Sequence, residues 1–229
     1  MARYAISDIH GCIKTFNSLL DKIALTKNDT LFLLGDYIDR GNNSKDVIDK
    51  ILNLKTEGFD VQCLLGNHEW LLLNAAYERG YKDNWLSRNG GIATLESYGI
   101  IAEDYLNYIP ESHLHFFKSL QYFIELDDYY LVHAGFNFKD EDPFGDYHSM
   151  IWIRDWYKHI KISLLGDKKI VHGHTPRSIV SLREDVASGK KVVFDIDCGC
   201  VYKGRSFGGH LASLNLDTLE IIGQENIED

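Results

Sequence analysis

Residues 31–41 read LFLLGDYIDRG, an apolar run that gives way at a glycine to an acid-rich cluster. Leu31–Leu34 has the length and character of a buried strand. Gly35 permits an irregular exit from that strand, and Asp36 directly after it can bridge two cations with its two carboxylate oxygens. Acids and an arginine between two glycines at a strand end indicate a site for chemistry rather than a plain surface loop.

Four other polar clusters end strand-like apolar runs in the same way. They are Asp8-Ile9-His10, Gly66-Asn67-His68-Glu69, His133-Ala134-Gly135 and Gly173-His174-Thr175-Pro176. Open α/β sheets carry their chemistry just beyond the carboxyl ends of the strands. Oxygen and imidazole ligands delivered from several strands can therefore converge on one point, and this predicts a metal centre.

The first third of the chain alternates strands with helices. Strands are predicted at residues 3–7, 31–34 and 61–65, and helices from Cys12 to Ala24 and from about Ser44 to Lys55. This βαβαβ order is typical of a parallel sheet that is covered on both faces.

The rest of the chain has a different pattern. Residues 70–120 are helical in pattern and interrupted by glycines, which we interpret as a small helical cap inserted between sheet strands. Hairpins are predicted around Asp127-Asp128 and around residues 214–219. We expect the parallel first half and the hairpin-rich second half to form two sheets packed face to face. The predicted fold is α/β, a four-layer α/β/β/α sandwich of two mixed sheets flanked by helices, as a single domain over residues 1–229.

Bulk composition excludes several classes of protein. A formal net charge of −10 argues against non-specific binding to nucleic acid or to an anionic membrane. The apolar runs are too short to cross a bilayer, and the N-terminus enters a strand at once, without room for a signal peptide. The 4 cysteines lack the spacing of a zinc ribbon and the density of a disulfide scaffold. We therefore expect a cytoplasmic protein with no membrane or nucleic-acid partner.

Residue types within the clusters suggest different roles. Asp8 and His10 alternate in an extended segment, so both can reach one ion, although a helix cap and a surface histidine would explain them singly. His68 follows a neutral oxygen ligand and can stand beside an ion without binding it, where a general acid is wanted. His133 and His174 each lie beside a glycine, and as a pair after three acid-rich clusters they favour metal ligation.

These motifs, in this order, resemble those of the calcineurin-like metallophosphoesterases, and more narrowly the phosphoprotein phosphatase branch with its bacterial and phage-type members. The resemblance spans the chain from Asp8 to Thr175. It implies two divalent ions, one held by Asp8, His10 and Asp36 and the other by Asp36, Asn67, His133 and His174. His172 is interpreted as lying behind the ligands.

The resemblance also implies the catalytic residues. His68 would be the general acid, and Asp39 would orient it and raise its pKa. Arg40 would bind phosphate, together with Arg154 in a Trp-x-Arg sequence that resembles one in phage-type relatives. A hydroxide that bridges the two ions would attack phosphorus. Carboxylate, amide and imidazole ligands suit Mn²⁺, Fe²⁺ or Zn²⁺, and the resemblance favours Mn²⁺.

The substrate is left open between two main interpretations. The leading one is a protein phosphatase that removes phosphate from Ser or Thr, with Tyr also open. The alternative is a symmetrical dinucleoside tetraphosphatase (diadenosine tetraphosphate hydrolase) or related pyrophosphohydrolase, suggested by Trp85 and the Asn89-Gly90-Gly91 turn in the predicted cap. Many phosphodiesterases have a further histidine where this chain has Pro176, so the resemblance favours hydrolysis of phosphate monoesters or anhydrides. A catalytically silent binding module is disfavoured because His68 and every predicted ligand are intact.

Overall fold

The structure, a computed structural model, describes residues 1–101 and 104–229. The strands are β1 (Arg3–Ile6), β2 (Thr30–Leu33), β3 (Asp60–Cys63), β4 (Phe123–Glu125), β5 (Tyr129–Val132), β6 (Lys169–His172), β7 (Val193–Asp195), β8 (His210–Asn215) and β9 (Ile221–Glu225). The helices are α1 (Ile13–Ile23), α2 (Ser44–Thr56), α3 (Asn67–Ala75), α4 (Arg79–Arg88), α5 (Gly91–Ser97), α6 (Glu111–Ser119), α7 (Tyr147–Trp152), α8 (Ile162–Leu165) and α9 (Ile179–Ser188). Among these residues, no helix is long and apolar enough to cross a membrane.

The strands form two mixed sheets flanked by helices, which confirms the predicted fold class. The first sheet has the order β3-β2-β1-β8-β9, with β1 to β3 parallel and the last two strands antiparallel to their neighbours. The second sheet has the order β4-β5-β6-β7, parallel except for the edge strand β4. The carboxyl ends of the parallel strands in each sheet can therefore carry polar loops toward a common edge.

The expected division of the two sheets between the two halves of the chain is wrong. The final hairpin, β8 and β9, joins the first sheet, where Ile6 pairs with Ser213. The second sheet is mainly parallel, because helices and longer connections separate β5, β6 and β7. A turn signal in the sequence identifies a hairpin but does not say which open sheet edge the hairpin will join.

Successive side chains of β1 point to opposite faces of the first sheet, and their contacts show how the layers pack. Ala5 belongs to an apolar cluster that includes Phe32, Leu131 and Val171, and so contains side chains from both sheets. Its neighbour Ile6 belongs to a different cluster, which contains the buried faces of α1 and α2. Burial of both faces of β1 stabilises the central position of this strand.

The region between β3 and β4 contains helices α3 to α6, where the helical cap was predicted. Ala102 and Glu103 of that prediction lie outside the described residues. The single-domain organisation stays a prediction.

His113 connects this region to α2, since its Nε2 lies 3.0 Å from Asp49 Oδ1 and its Nδ1 lies 2.8 Å from the hydroxyl of Tyr98.

The buried His113 should make stability depend on pH. Burial lowers the pKa of His113, and the smaller effect of Asp49 opposes this. An unfolded histidine, with a pKa of about 6.5, then takes up protons before the folded one does, so stability is lost as the pH falls below about 6.5. We expect His113→Gln to lose less unfolding free energy than the wild type between pH 7.5 and pH 5 in urea titrations. The exposed His115→Gln is the control, and equal losses in all three proteins would contradict the assignment.

Candidate metal centre

The six predicted metal ligands all lie at strand ends and are all buried. Asp8 and His10 follow β1, Asp36 follows β2, Asn67 follows β3, His133 follows β5 and His174 follows β6. Their exposed fractions range from 0% to 6%. Side chains from both sheets therefore meet beyond the carboxyl ends of their strands.

Asp36 lies at the centre of this arrangement. Its Oδ2 is 3.6 Å from His10 Nε2 and 3.8 Å from His68 Nε2, and its Oδ1 is 3.5 Å from His133 Nε2. The ligand atoms form two close groups, His10 with Asp36 and His68, and Asp36 with His133 and His174. The carboxylate of Asp36 is common to both groups and could contribute an oxygen to each of two cation sites.

Asn67 and Asp8 occupy the margins of these groups. Asn67 Oδ1 lies 3.1 Å from His133 Nε2, on the side of the second group. Asp8, among the described residues, belongs to neither close group. Its Oδ2 accepts hydrogen bonds from the hydroxyl of Ser7 and, at 3.1 Å, from the backbone N–H of His174. The structure therefore connects Asp8 to the loop of the second group more directly than to His10.

The donor set fits divalent cations. Within residues 1–101 and 104–229, the Nε2 atoms of His68 and His174 are buried without a hydrogen-bond partner, a costly arrangement for a polar atom. The Nδ1 atoms of His10 and His133 lie 2.8 Å from the carbonyl oxygens of Ile38 and Leu34. An Nδ1–H that donates to a carbonyl leaves the Nε2 lone pair free for a metal.

The electrostatics also favour cations at this edge. Burial and the neighbouring Asp8 raise the pKa of Asp36, which shows that negative charge is crowded here. Burial lowers the pKa of His10, His133 and His174, so these imidazoles are neutral at pH 7. Neutral imidazoles around crowded carboxylates are the state that metal ligation needs.

The backbone of the site is strained. Left-handed φ values occur at Asp8 (56°), His10 (47°), Asp36 (56°), Asp39 (72°), Arg40 (70°) and His174 (72°). L-residues with a Cβ rarely adopt this conformation, and the penalty is roughly 1–2 kcal/mol per residue, less for Asp. Such strain persists only where surrounding contacts fix it, and it is typical of functional loops.

Two glycines allow the loops to approach each other. A Cβ added at Gly173 would lie 2.1 Å from Asp8 Oδ2, and one added at Gly66 would lie 2.2 Å from Asp36 Oδ1. Neither distance is compatible with a side chain. The glycines in these motifs are therefore required for close packing of one ligand loop against another.

Glu69 has a central part in this site that the sequence analysis missed. Its Oε1 accepts the N–H groups of Tyr37 at 2.8 Å and Ile38 at 3.3 Å, and its Oε2 accepts those of Asp36 at 2.9 Å and Gly66 at 3.1 Å. The carboxyl group is fully buried. Its position in the Gly-Asn-His-Glu motif was the available signal, but nothing in the sequence indicates that it holds the loop after β2.

His68 is held by a buried network around Asp39. Its Nδ1 lies 2.6 Å from Asp39 Oδ2. Trp85 Nε1 donates to the same oxygen at 2.7 Å, and the hydroxyl of Thr94 donates to Asp39 Oδ1 at 2.6 Å. Trp85 and Thr94 come from α4 and α5, so the helical segment between β3 and β4 holds Asp39, and through it His68, in place.

The protonation of this pair differs from the expectation. Burial raises the pKa of Asp39 to about 7, against the effect of its hydrogen bonds to Thr94 and Trp85. Burial lowers the pKa of His68, and the positive charge of Arg40 lowers it further. Asp39 was predicted to raise the pKa of His68, but desolvation outweighs that effect and the pKa is lowered.

Removal of the Thr94 hydroxyl, which donates to Asp39 Oδ1 and accepts the Asp39 N–H at 2.9 Å, should impair turnover. We expect Thr94→Val, which keeps the shape but loses the hydroxyl, to lower kcat by about 10- to 150-fold, because a lost bond to a buried charged group costs about 1.5–3 kcal/mol. Thr94→Ser keeps the donor and should retain most of the wild-type kcat. Steady-state kinetics with p-nitrophenyl phosphate measure the effect. Equal kcat values for the Val and Ser variants would show that this bond does not position His68.

The two predicted phosphate-binding arginines lie at different margins of the centre. Arg40 Nη1 contacts His10 Nε2, and its guanidinium lies 5.5 Å from the centre of the Tyr202 ring. Arg154 is exposed and donates to the Thr175 hydroxyl at 3.2 Å. Because Arg40 contacts the atom that His10 would offer to a cation, ligation by His10 requires this arginine to move.

Two other buried groups lie behind the predicted ligands. Both ring nitrogens of His172 have partners, with Nδ1 2.8 Å from the Gly173 carbonyl and Nε2 3.0 Å from the Tyr157 hydroxyl. This agrees with its interpretation as a residue behind the ligands. Asp195 is the last residue of β7 and Asp197 follows it; both are buried, and burial raises the pKa of both, with Asp8 contributing. Their alternation at a strand end was a signal that the sequence analysis did not use.

Comparison with known proteins establishes the family. The model of the calcineurin-like phosphoesterase family matches residues 1–217, and the chain belongs to that family. It is therefore a phosphoester hydrolase, and its family implies divalent metal ions at the centre described above.

Relatives with known names match only part of the chain. A symmetrical bis(5′-nucleosyl)-tetraphosphatase of Buchnera aphidicola subsp. Acyrthosiphon pisum (strain Tuc7) is 42% identical over 85 residues, which are 37% of this chain and 29% of that protein. The enzyme of the same name from Escherichia coli O139:H28 is 43% identical over 74 residues, 32% of this chain and 25% of that protein. The match thus spans less than a third of the length of these relatives.

Solved structures share the fold over the whole chain. A candidate diadenosine tetraphosphatase gives a TM-score of 0.64 at 20% identity and covers 100% of this chain and 95% of its own. A protein serine/threonine phosphatase from Saccharomyces cerevisiae gives a TM-score of 0.65 at 16% identity, covering 100% and 81%. At these identities the likeness establishes the fold alone.

Proposed function

We propose that this chain hydrolyses symmetrical dinucleoside tetraphosphates to two nucleoside diphosphates. One observation carries the choice of substrate: named relatives that are 42% or more identical over 74 to 85 residues are symmetrical bis(5′-nucleosyl)-tetraphosphatases. The leading interpretation from the sequence, a protein phosphatase, has the support of fold likeness alone. The alternative interpretation is therefore preferred, and a small phosphorylated dinucleotide replaces a phosphoprotein as the proposed partner.

The proposed centre uses the predicted ligands and no others. Asp36 would be shared, His10 and Asp8 would complete one ion site, and Asn67, His133 and His174 would complete the other. Mn²⁺ is proposed as the native ion on the resemblance to the family, since the carboxylate, amide and imidazole donors suit Fe²⁺ and Zn²⁺ as well. When bound, such ions supply Lewis acidity toward phosphate and lower the pKa of water, so that a nucleophile exists at neutral pH.

The remaining groups act on the substrate itself. Arg40 and Arg154 would hold the non-bridging phosphate oxygens, because guanidinium groups match phosphate in charge and geometry. His68 would give a proton from Nε2 to the departing oxygen, because Asp39, whose pKa burial raises to about 7, can supply a proton to Nδ1 and so allow the hydrogen of the neutral imidazole to lie on Nε2. Asp39 thus fixes the imidazole so that the reactive nitrogen faces the centre.

A substrate panel on the Mn²⁺-loaded protein tests the proposal. We expect diadenosine tetraphosphate to give ADP as the only nucleotide product, with a higher kcat/KM than phosphoserine, phosphothreonine or phosphotyrosine peptides. Formation of AMP and ATP would show asymmetric cleavage and contradict the proposal. A higher kcat/KM for any phosphopeptide would restore the protein-phosphatase interpretation. Parallel loading with Fe²⁺ and Zn²⁺ tests the choice of ion.

A further inference from the structure

A cavity of about 570 Å³ lies next to the metal centre and has no part in the mechanism above. Its lining includes Tyr157, Thr175, Lys190, Val192 and Asp195. Thr175 directly follows His174, and its hydroxyl is the acceptor for Arg154. The cavity therefore opens where the substrate's phosphates would be held, and its volume lies within the range of about 300–1,000 Å³ that is typical of small-molecule sites.

Tyr157 gives this cavity a fixed aromatic wall. The ring stacks on Trp156 with centroids 4.9 Å apart and an interplanar angle of 22°. Its hydroxyl lies 3.0 Å from His172 Nε2, so the ring is anchored at both its face and its tip. Even so, 43% of the residue is exposed. A fixed and accessible aromatic face suits a planar ring system, because nucleobases stack on such faces.

Asp195 supplies a hydrogen-bond acceptor in the lining of the same cavity. The residue is only 6% exposed, and its Oδ1 accepts the N–H of Asp197 at 3.1 Å. Its Oδ2 receives no hydrogen bond from the described part of the chain. Because Asp195 lines the cavity, this second oxygen can accept a hydrogen bond from a bound molecule. A phosphate offers oxygen acceptors only, whereas a ribose hydroxyl or an exocyclic amine offers such a donor.

The charges on the cavity wall fit a nucleotide better than a bare anion. Arg177 lies 2.7 Å from Asp185, and Lys191 lies 3.3 Å from the other oxygen of that carboxylate, so these cations are already paired. Lys190 forms no ion pair with any described residue. The lining thus combines one unpaired cation, an aromatic face and a buried acceptor.

We propose that this cavity binds the nucleoside of one departing nucleoside diphosphate, with the base against Tyr157 and a sugar hydroxyl or base amine donating to Asp195. The inference rests on the proposed function, since it places one end of the dinucleotide beside Thr175. The phosphate chain then runs from the cavity past Arg154 to the centre, and the nucleoside is bound away from the reacting phosphorus.

Equilibrium dialysis with labelled adenosine tests the cavity without relying on hydrolysis. Adenosine has no phosphate, so its binding reports the nucleoside site alone, in the Mn²⁺-loaded protein and after chelation. We expect Val192→Trp, which fills the cavity, and Tyr157→Ala to weaken adenosine binding at least tenfold. Val180→Trp is the matched control, because Val180 is 59% exposed on α9 and does not line the cavity. Tyr157→Phe keeps the ring and should retain binding.

Hydrolysis gives a second measurement. The ratio of kcat/KM for diadenosine tetraphosphate to that for p-nitrophenyl phosphate should fall at least tenfold in Val192→Trp and not in Val180→Trp. Absence of adenosine binding by the wild type, or equal binding by all variants, would overturn the inference even if the dinucleotide is hydrolysed. Adenosine binding without dinucleotide hydrolysis would refute the proposed function while the cavity assignment stands. A loss of phosphopeptide turnover alone in Val192→Trp would assign the cavity to peptide.

Discussion

His68→Asn is expected to lower kcat by about 10²–10⁴-fold, the usual contribution of a positioned general acid, while metal content is retained. The imidazole has one nitrogen bonded to Asp39 and the other free at the centre. Asparagine cannot deliver a proton from that second position. Rates with p-nitrophenyl phosphate and an alkyl phosphate, with metal analysis of the same samples, measure the effect.

Two outcomes separate the possible roles of His68. The residue also belongs to one of the two close groups of ligand atoms, so direct ligation is the competing role. Loss of one ion per chain in His68→Asn would favour ligation. The alkyl phosphate should be affected more strongly than the nitrophenyl ester, because an alkoxide leaves poorly without a proton. Unchanged turnover of the alkyl phosphate would remove the general-acid role.

Glu69→Ala is expected to reduce the free energy of unfolding by about 3–5 kcal/mol, since it leaves four backbone N–H groups without their acceptor in a buried site. Glu69→Gln keeps one acceptor oxygen and should lose less. Urea unfolding followed by circular dichroism measures both. The loop after β2 carries Asp36, so the alanine variant should also bind metal more weakly.

Glu57→Ala provides the matched control for this series. Glu57 is exposed at the end of α2, and its replacement should change the unfolding free energy by no more than about 0.5 kcal/mol. A Glu69→Ala variant as stable as Glu57→Ala would show that water replaces the carboxylate as acceptor. The positioning of Asp36 would then have another cause.

The sequence predicted the local elements well because their signals are local. Apolar runs that stop at polar clusters located the ends of β1, β2, β3, β5 and β6, and four of the predicted ligands, His10, Asp36, His133 and His174, lie in the two close groups there. Helical spacing located α1 and α2 to within one residue at each end. The order of strands and helices was enough to predict two mixed sheets.

Contacts between distant segments could not be predicted in this way. Thr94 bonds to Asp39 across 55 residues, and Trp85 does so across 46. Glu69 reaches back 33 residues to Asp36. The partner of β8 is likewise decided by which sheet edge is open after the first three strands have paired. These outcomes depend on how complete elements pack, and no window of sequence contains that information.

The left-handed φ values at His10, Arg40 and His174 lower the stability of the protein at positions whose side chains belong to the proposed site. Glycine at these positions would relieve the conformational penalty, and it would delete a side chain that is proposed to bind metal or phosphate. Selection for thermal stability alone would therefore favour glycine at these positions and give more stable proteins with less activity. Any engineering of this enzyme has to leave these three positions strained and seek its gains elsewhere.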